Sequence, residues 1–397
     1  GGERTNGCND YLVISYPKAV ELVHRSFLEV GVDVIETCTF RSNRITLAEY
    51  GLADKVTEIN LAAAMLARKC ADDFSNADQP RFVAGSIGPT GKLPSLNDPE
   101  LSNITFDELR SVFCEQAVGL IKGGVDLLLI ETSQDILEVK AAILGIQDAF
   151  AQTGKHLPLQ VQVTLDTSGR MLLGTDISAV LTILEGLPID VIGLNCSTGP
   201  DFMREPIQYL GENSSLPVSC IPNAGLPLNV DGQAVYPLTP EPFADALFEF
   251  AQKHGVRVIG GCCGTTPEHL KALVEKVQPL APVVRLSEPE PKLASSIQAQ
   301  PMQQEPRPFF IAERLNTQGS RAFKKMVLEN DFDAILSLAQ QQVEGGGHAL
   351  DLCVALTERG DEAATMKRLI KTISPVIRLP LVIDTTEIEV LETALQT

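Results

Sequence analysis

The 397-residue chain contains no run of about 18 apolar residues, so no transmembrane helix is expected. Its first residues lack the basic-then-apolar order of a secretory signal, which makes the cytoplasm the default location. Positive charge is scarce, with 32 Lys and Arg against 51 Asp and Glu and no basic cluster. A net charge of −19 excludes nucleic-acid binding, because neutralising phosphates needs a basic face; the acidity reads as solubility. The even cysteine framework of a small secreted domain is also missing. Nine cysteines, spread through a long chain and mostly inside apolar runs, read as reduced thiols, some available as metal ligands.

What is present is ample core, at 44% hydrophobic residues, and enough length for one large unit plus a second. A loop-like opening, Gly1-Gly2-Glu3-Arg4-Thr5-Asn6-Gly7-Cys8, leads to a helix over 17–30 with Val20, Val23, Phe27 and Leu28 at core spacing. Strand-like runs follow at 32–40, 82–88, 125–132, 159–167, 191–197, 218–225 and 256–264. Helical patterns such as 106–122 and 178–185 separate them. Strands alternating with helices mean a parallel sheet, and near-continuous apolar strands mean one covered on both faces.

A closed barrel and an open doubly wound sheet both fit that alternation. The polar residues decide between them: Glu36, Glu131, Asp166, Asn195, Asn223 and Cys262 stand at the C-terminal ends of different strands. A (β/α)8 barrel builds its site on that rim from several strand ends, whereas an open sheet gathers it at one switch point. The expected fold is therefore α/β, a (β/α)8 TIM barrel over residues 1–280. Seven strands are recognisable, so the missing one is expected to be the first, before Gly1. Residues 281–308 are Pro- and Gln-rich without periodicity and read as an extended, solvated linker. A second α/β unit over 309–397 has room for three strands, at 309–316, 349–354 and 381–386. Three are too few to close a barrel, so the chain is expected to be part of something longer.

The stretch with the most chemistry is Val258-Ile259-Gly260-Gly261-Cys262-Cys263-Gly264, followed by Thr265-Thr266-Pro267-Glu268, which opens a helix with a hydroxyl cap and an early Pro. The strand delivers two thiols to its own C-terminal end, and the glycines permit a tight bend and close approach. Adjacent cysteines alone are often inert core. However, Gly193-Leu194-Asn195-Cys196-Ser197 ends another strand in a thiol. Two strand ends on one rim can bring three thiols to one ion. Three thiolates with an open fourth place describe a catalytic zinc, and sulfur favours zinc over magnesium or calcium. Cys38 and Cys220 read as core, and His269 as a solvated or capping residue.

These residues resemble a known family. Gly260-Gly261-Cys262-Cys263-Gly264-Thr265-Thr266-Pro267, with Gly193-Leu194-Asn195-Cys196 and Pro222-Asn223-Ala224-Gly225, is similar to the zinc-dependent homocysteine S-methyltransferases. The resemblance implies a (β/α)8 barrel in which Cys196, Cys262 and Cys263 hold zinc and homocysteine sulfur takes the fourth place. Glu131 and Asp166 end strands, where a carboxylate can equally cap a helix or pair with an Arg. The family's matching acidic positions bind the homocysteine amino group, which assigns both to substrate binding, with Asn195 beside them. Glu36 and Thr37 are expected to line the rim. The family usually opens with a strand bearing an Asp-Gly-x-Met-Gly-Thr-like loop, and no such segment precedes Gly7.

In the second unit, Glu313-Arg314-Leu315-Asn316, Gly345-Gly346-Gly347-His348-Ala349-Leu350-Asp351 and Ile383-Asp384-Thr385 resemble the start of the pterin-binding barrel of methyltetrahydrofolate methyltransferases. Glu313, Asn316, Asp351 and Asp384 match its folate-contacting positions; acidic and amide groups can read the amino-pyrimidine edge of a pterin. Ala312 stands where that family often has Gly, and Cys353 near an Asn position. A homocysteine barrel, a linker and a pterin barrel follow one another in cobalamin-dependent methionine synthases. That order implies methylcobalamin as immediate donor, recharged from methyltetrahydrofolate and carried by a cobalamin-binding domain downstream or in trans. The alternatives are a cobalamin-independent enzyme with a sulfonium or betaine donor, and a non-catalytic zinc or thiol barrel.

Overall fold

The computed structural model describes residues 5–283, 285 and 290–397. Residues 1–4 of the loop-like opening, and 284 and 286–289 of the linker region, lie outside the described residues. Six successive apolar runs form β1 (Val34–Glu36), β2 (Phe82–Ile87), β3 (Leu127–Ser133), β4 (Leu159–Val163), β5 (Val191–Asn195) and β6 (Val218–Ile221). A small exposed hairpin, β7 (Leu228–Val230) and β8 (Gln233–Val235), interrupts the series before β9 (Val258–Ile259). The sheet is seven-stranded, in the order β1-β2-β3-β4-β5-β6-β9, and parallel throughout. Its helices follow from the same segments. Phe106–Gly123, for example, starts on a Thr105–Glu108 capping box and ends on left-handed Gly124.

Strand residues such as Val83, Leu128, Val161, Ile192 and Val218 are fully buried beneath helix residues including Leu120, Ile143 and Phe250. Each such aliphatic side chain contributes about 1.5–3 kcal/mol relative to exposure. The sheet curls into a barrel-like half-shell, so every strand's C-terminal end comes to one rim. Among the described residues, β1 and β9 have one partner strand each.

Those two edges are where the expected boundaries shrink. The 32–40 run keeps only Val34–Glu36 as strand, and 256–264 only Val258–Ile259, which is half-buried rather than buried. A strand paired on one side has half the ladder to hold its ends. The helix over Pro17–Glu29 turns Val20, His24 and Leu28 inward. That stripe at i, i+4, i+8 leaves Val23 outside at 55% exposure, and His24 occupies the inner position expected of it.

The linker is not simply extended and solvated. Within it β10 (Lys292–Ala294) and β11 (Ala299–Pro301) pair antiparallel, and all six residues are half-buried. Half-buried backbone groups need partners. Asp176 N donates to Ile297 O at 2.8 Å, Thr175 Oγ1 to Ser296 O at 2.6 Å, and Ser295 Oγ to Arg378 O at 2.8 Å. The hairpin thereby touches both the first unit and the second. Beyond it, β12 (Ile311–Asn316), β13 (Ala349–Cys353) and β14 (Leu381–Ile383) form a parallel three-stranded sheet with its own apolar core. Among the described residues, no helix is long and apolar enough to cross a membrane.

Candidate metal centre and substrate rim

Three thiols meet at the rim. Cys196 follows β5 directly, and Cys262 and Cys263 lie three and four residues beyond β9, in a loop rather than a strand. That loop leans on the extension of β6: Cys262 N donates to Pro222 O at 2.8 Å and Cys263 N to Asn223 Oδ1 at 3.1 Å. Cys196 N reaches Ile221 O at 3.1 Å. Residues 221–223 are therefore the common anvil for all three sulfurs. The Sγ separations are 3.7 Å for Cys196–Cys263 and 3.9 Å for Cys262–Cys263, with all three within 4.8 Å of one another. Zinc–thiolate bonds of about 2.3 Å in a tetrahedron put the sulfurs about 3.8 Å apart. The donor set fits zinc in both spacing and softness.

The backbone is contorted here. Thr132, Cys196 and Ser197 all have left-handed φ, at 56°, 58° and 62°. For β-branched Thr132 in particular this costs energy that its surroundings must offset. Gly264 has φ +79°, and a Cβ on it would fall 2.2 Å from Cγ of Tyr236. Tyr236 thus lies across the thiol loop; burial and the adjacent Cys263 sulfur push its phenol up to about 12. The sulfurs divide the protons unequally. The neighbouring thiols of Cys196 and Cys262 lower Cys263, while the same close contacts, together with partial burial, push Cys262 well up. Three thiolates at these distances repel one another unless a cation stands among them.

Beside the thiols lies Glu131, 6% exposed at the end of β3. Ser86 Oγ donates to its Oε1 and Asn195 Nδ2 to its Oε2, the latter at 3.2 Å. Burial raises its carboxyl to about 7 against the lowering effect of Ser86, with the Cys263 sulfur adding to the rise. Glu36, the last residue of β1, keeps a face open to solvent, and desolvation together with Glu131 holds it well above the usual carboxylate range. Thr37 is buried and accepts from Ser86 N at 3.0 Å, so it supports the rim rather than lining it.

The other residues singled out in the sequence stand in different surroundings. Asp166 is exposed and accepts from Ser168 N, Ser168 Oγ and Arg170 N of its own turn. Those bonds, the Ser168 hydroxyl foremost, hold its carboxyl below the usual range. Asn195 has no exposed surface, and its amide is taken up by Glu131 and Thr132. Cys38 bonds Asn9 O at 3.6 Å and Cys220 faces Met203 Sδ at 3.7 Å, both away from the thiol cluster. His269 caps its helix through Thr266 and is buried rather than solvated, with Nε2 2.8 Å from Leu238 O. Sequence reasoning does not single out Ser86 or Tyr236; Ser86 sits near a strand end like the others, and Tyr236 follows a hairpin without periodic signal.

In the second sheet, Asn316 Nδ2 donates to Asp351 Oδ2 at 2.8 Å and Asp384 Oδ2 at 3.0 Å. Burial raises Asp351 despite the Asn316 bond, and Asp384 and Glu313 add to the rise. Glu313 stands where the β12–β13 register shifts. Asn316, Asp351 and Asp384 are thus joined by hydrogen bonds, with the Glu313 charge acting on Asp351.

Residues 312–397 match the pterin binding enzyme family. The chain is 39% identical over 401 residues to methionine synthase of Mycobacterium leprae (strain TN), covering 98% of this chain and 32% of that protein. It is equally 39% identical over 390 residues to methionine synthase of Mycobacterium tuberculosis (strain ATCC 25618 / H37Rv), with the same coverage, 98% and 32%. The chain thus spans about a third of the length of these curated relatives. In structure it resembles the homocysteine methyltransferase MmuM of Escherichia coli. The oxidized form aligns with TM-score 0.55 at 21% identity, covering 68% of this chain and 88% of that one. The metallated form aligns with TM-score 0.54 at 22% identity, covering 67% and 86%. At that identity the likeness concerns the fold, a TIM-barrel-like α/β half-shell. Residues 2–277, which carry all three rim thiols, match the homocysteine S-methyltransferase family, and the chain belongs to that family.

Proposed function

We propose that this chain holds one zinc ion on Cys196, Cys262 and Cys263 and transfers a methyl group to the sulfur of homocysteine, giving methionine. The observation that carries the reading is the spacing of the three sulfurs, 3.7 and 3.9 Å, next to the buried Glu131. When bound, zinc supplies the positive charge that makes a thiol of pKa about 8.5 a thiolate at neutral pH. Glu131 receives the substrate ammonium, which favours the ionised form of a carboxyl otherwise raised to about 7. Asp166, already ionised and open on the same rim, serves as a second acidic contact. The substrate sulfur lone pair forms the new S–C bond, and the donor keeps the electron pair of the bond it loses.

The donor in this reading is methylcobalamin, bound by a domain outside residues 1–397 and recharged from methyltetrahydrofolate. Support comes from the pterin-type segment, with Glu313, Asn316, Asp351 and Asp384 contacting the pterin ring. The organisation proposed is a homocysteine barrel over 1–280, a connecting segment over 281–308 and the first part of a second (β/α)8-type barrel over 309–397. With its eighth strand in place the first unit is a full (β/α)8 barrel. The test is zinc-loaded chain supplied with homocysteine and either methylcobalamin or a sulfonium or betaine donor. Methionine formed from methylcobalamin, and lost in Cys263→Ser, is expected. Turnover with the sulfonium or betaine donor alone overturns the cobalamin assignment; none with any donor overturns the reading.

A further inference from the structure

Asn195, the last residue of β5, and Thr132, next to last in the adjacent-but-one strand β3, are joined by a reciprocal pair of hydrogen bonds. Thr132 N donates to Asn195 Oδ1 at 2.7 Å, and Asn195 Nδ2 donates to Thr132 Oγ1 at 2.8 Å. The same Nδ2 donates to Glu131 Oε2 at 3.2 Å. Asn195 is 0% exposed, so its side chain presents no free surface to a ligand. Its amide does two things at once. It pins Thr132 in a left-handed conformation, φ 56°, that a β-branched residue does not hold unaided. It also fixes one oxygen of Glu131, whose other oxygen is fixed by Ser86. The next residue along β5 is the thiol Cys196, itself left-handed at φ 58°.

We infer that Asn195 is a positioning residue: it aims the Glu131 carboxylate at the substrate ammonium and ties that carboxylate to the strand end carrying Cys196. The inference rests on the function proposed above, in which Glu131 receives the ammonium. An amide is suited to the task. It offers the N–H donor that a buried carboxylate needs and the acceptor that an unpaired backbone N–H needs, without adding charge beside Glu131 and Glu36.

The test separates an ammonium-specific role from a general structural one. Zinc-loaded full chain is titrated calorimetrically with L-homocysteine and with 4-mercaptobutanoate, which keeps the thiol and carboxylate and lacks the ammonium. Asn195→Ala should weaken L-homocysteine about tenfold or more and leave 4-mercaptobutanoate within about twofold. Asn195→Asp preserves volume and the acceptor for Thr132 N but sets a second carboxylate against Glu131; it should show the same selectivity if the Ala variant does not fold. Equal loss for both ligands, or no loss for either, overturns the positioning role. Glu131→Gln is run in parallel. If it fails to discriminate the two ligands, the Glu131 reading is what has failed. If it discriminates while the Asn195 variants do not, the inference alone has failed.

Discussion

Cys196 and Cys263 stand 67 residues apart in sequence, just beyond two strands that do not pair with each other, yet their sulfurs are 3.7 Å apart. What closes the gap is the end of β6, which lies between β5 and β9. The loops after the outer strands both fold onto residues 221–223 through main-chain bonds and the Asn223 side chain. The thiol cluster is thus a product of the sheet's order. A ligand set built this way is held by the cysteines' own main-chain N–H groups, bonded to two carbonyls and to the Asn223 amide.

Glu131→Gln keeps the shape of the side chain and removes its charge. Without a carboxylate facing the ammonium, the homocysteine KM should rise about 10- to 100-fold, while kcat falls far less, because a charge-assisted hydrogen bond contributes about 1.5–3 kcal/mol. Steady-state kinetics of zinc-replete protein separate the two constants. An unchanged KM removes Glu131 from the substrate site.

Gly264→Ala places a methyl group where Cγ of Tyr236 lies 2.2 Å away, on a backbone with φ +79°. The conformational cost alone is about 1–2 kcal/mol, and relieving the overlap must displace Tyr236 or the Cys263 loop. Weaker zinc retention against a chelator is expected along with a lower melting temperature. Gly232→Ala is the control, since φ there is +80° but nothing lies within 4 Å. It should lower stability and leave zinc alone. Equal zinc loss in both variants contradicts the account.

Glu138, 2% exposed, accepts from Thr90 N at 2.9 Å and from the Thr90 hydroxyl, tying down the loop after β2. Burial, partly offset by those bonds, raises its carboxyl from 4.5 to about 7. A folded-state pKa above the unfolded one means that its stabilising, protonated form is present below pH about 4.5 and lost as pH rises through about 7. Glu138→Gln should therefore stabilise the protein by about 1–3 kcal/mol at pH 8, with the gain shrinking toward pH 5. Melting temperatures at the two pH values check this. A gain independent of pH sinks the assignment.

Much of this arrangement can be read from the chain itself. The Gly-Gly-Cys-Cys-Gly and Asn-Cys runs locate all three thiols, since each follows an apolar strand of the parallel series. Asn195 is harder: a polar residue at a strand end can point into the site or back into the wall, and only the position of Thr132 decides. A threonine gives no hint that its φ is 56°. Asp166 illustrates the reverse. Its own Ser168 and Arg170 bond Oδ1 and leave the residue exposed, although the strand-end position looks the same as that of buried Glu131. The segment after residue 280 misleads by composition, because Pro and Gln predict solvation while Thr175, Asp176 and Ser178 offer it a surface to bind.

The central claim is that three thiolates hold a zinc whose remaining place belongs to homocysteine. X-ray absorption at the zinc edge, on wild type and Cys262→Ser, with and without homocysteine, tests it most directly. The account predicts one zinc on three sulfurs and one light atom in wild type, four sulfurs once homocysteine is added, and reduced zinc in Cys262→Ser. Absence of zinc, or a ligand sphere indifferent to homocysteine, would contradict it.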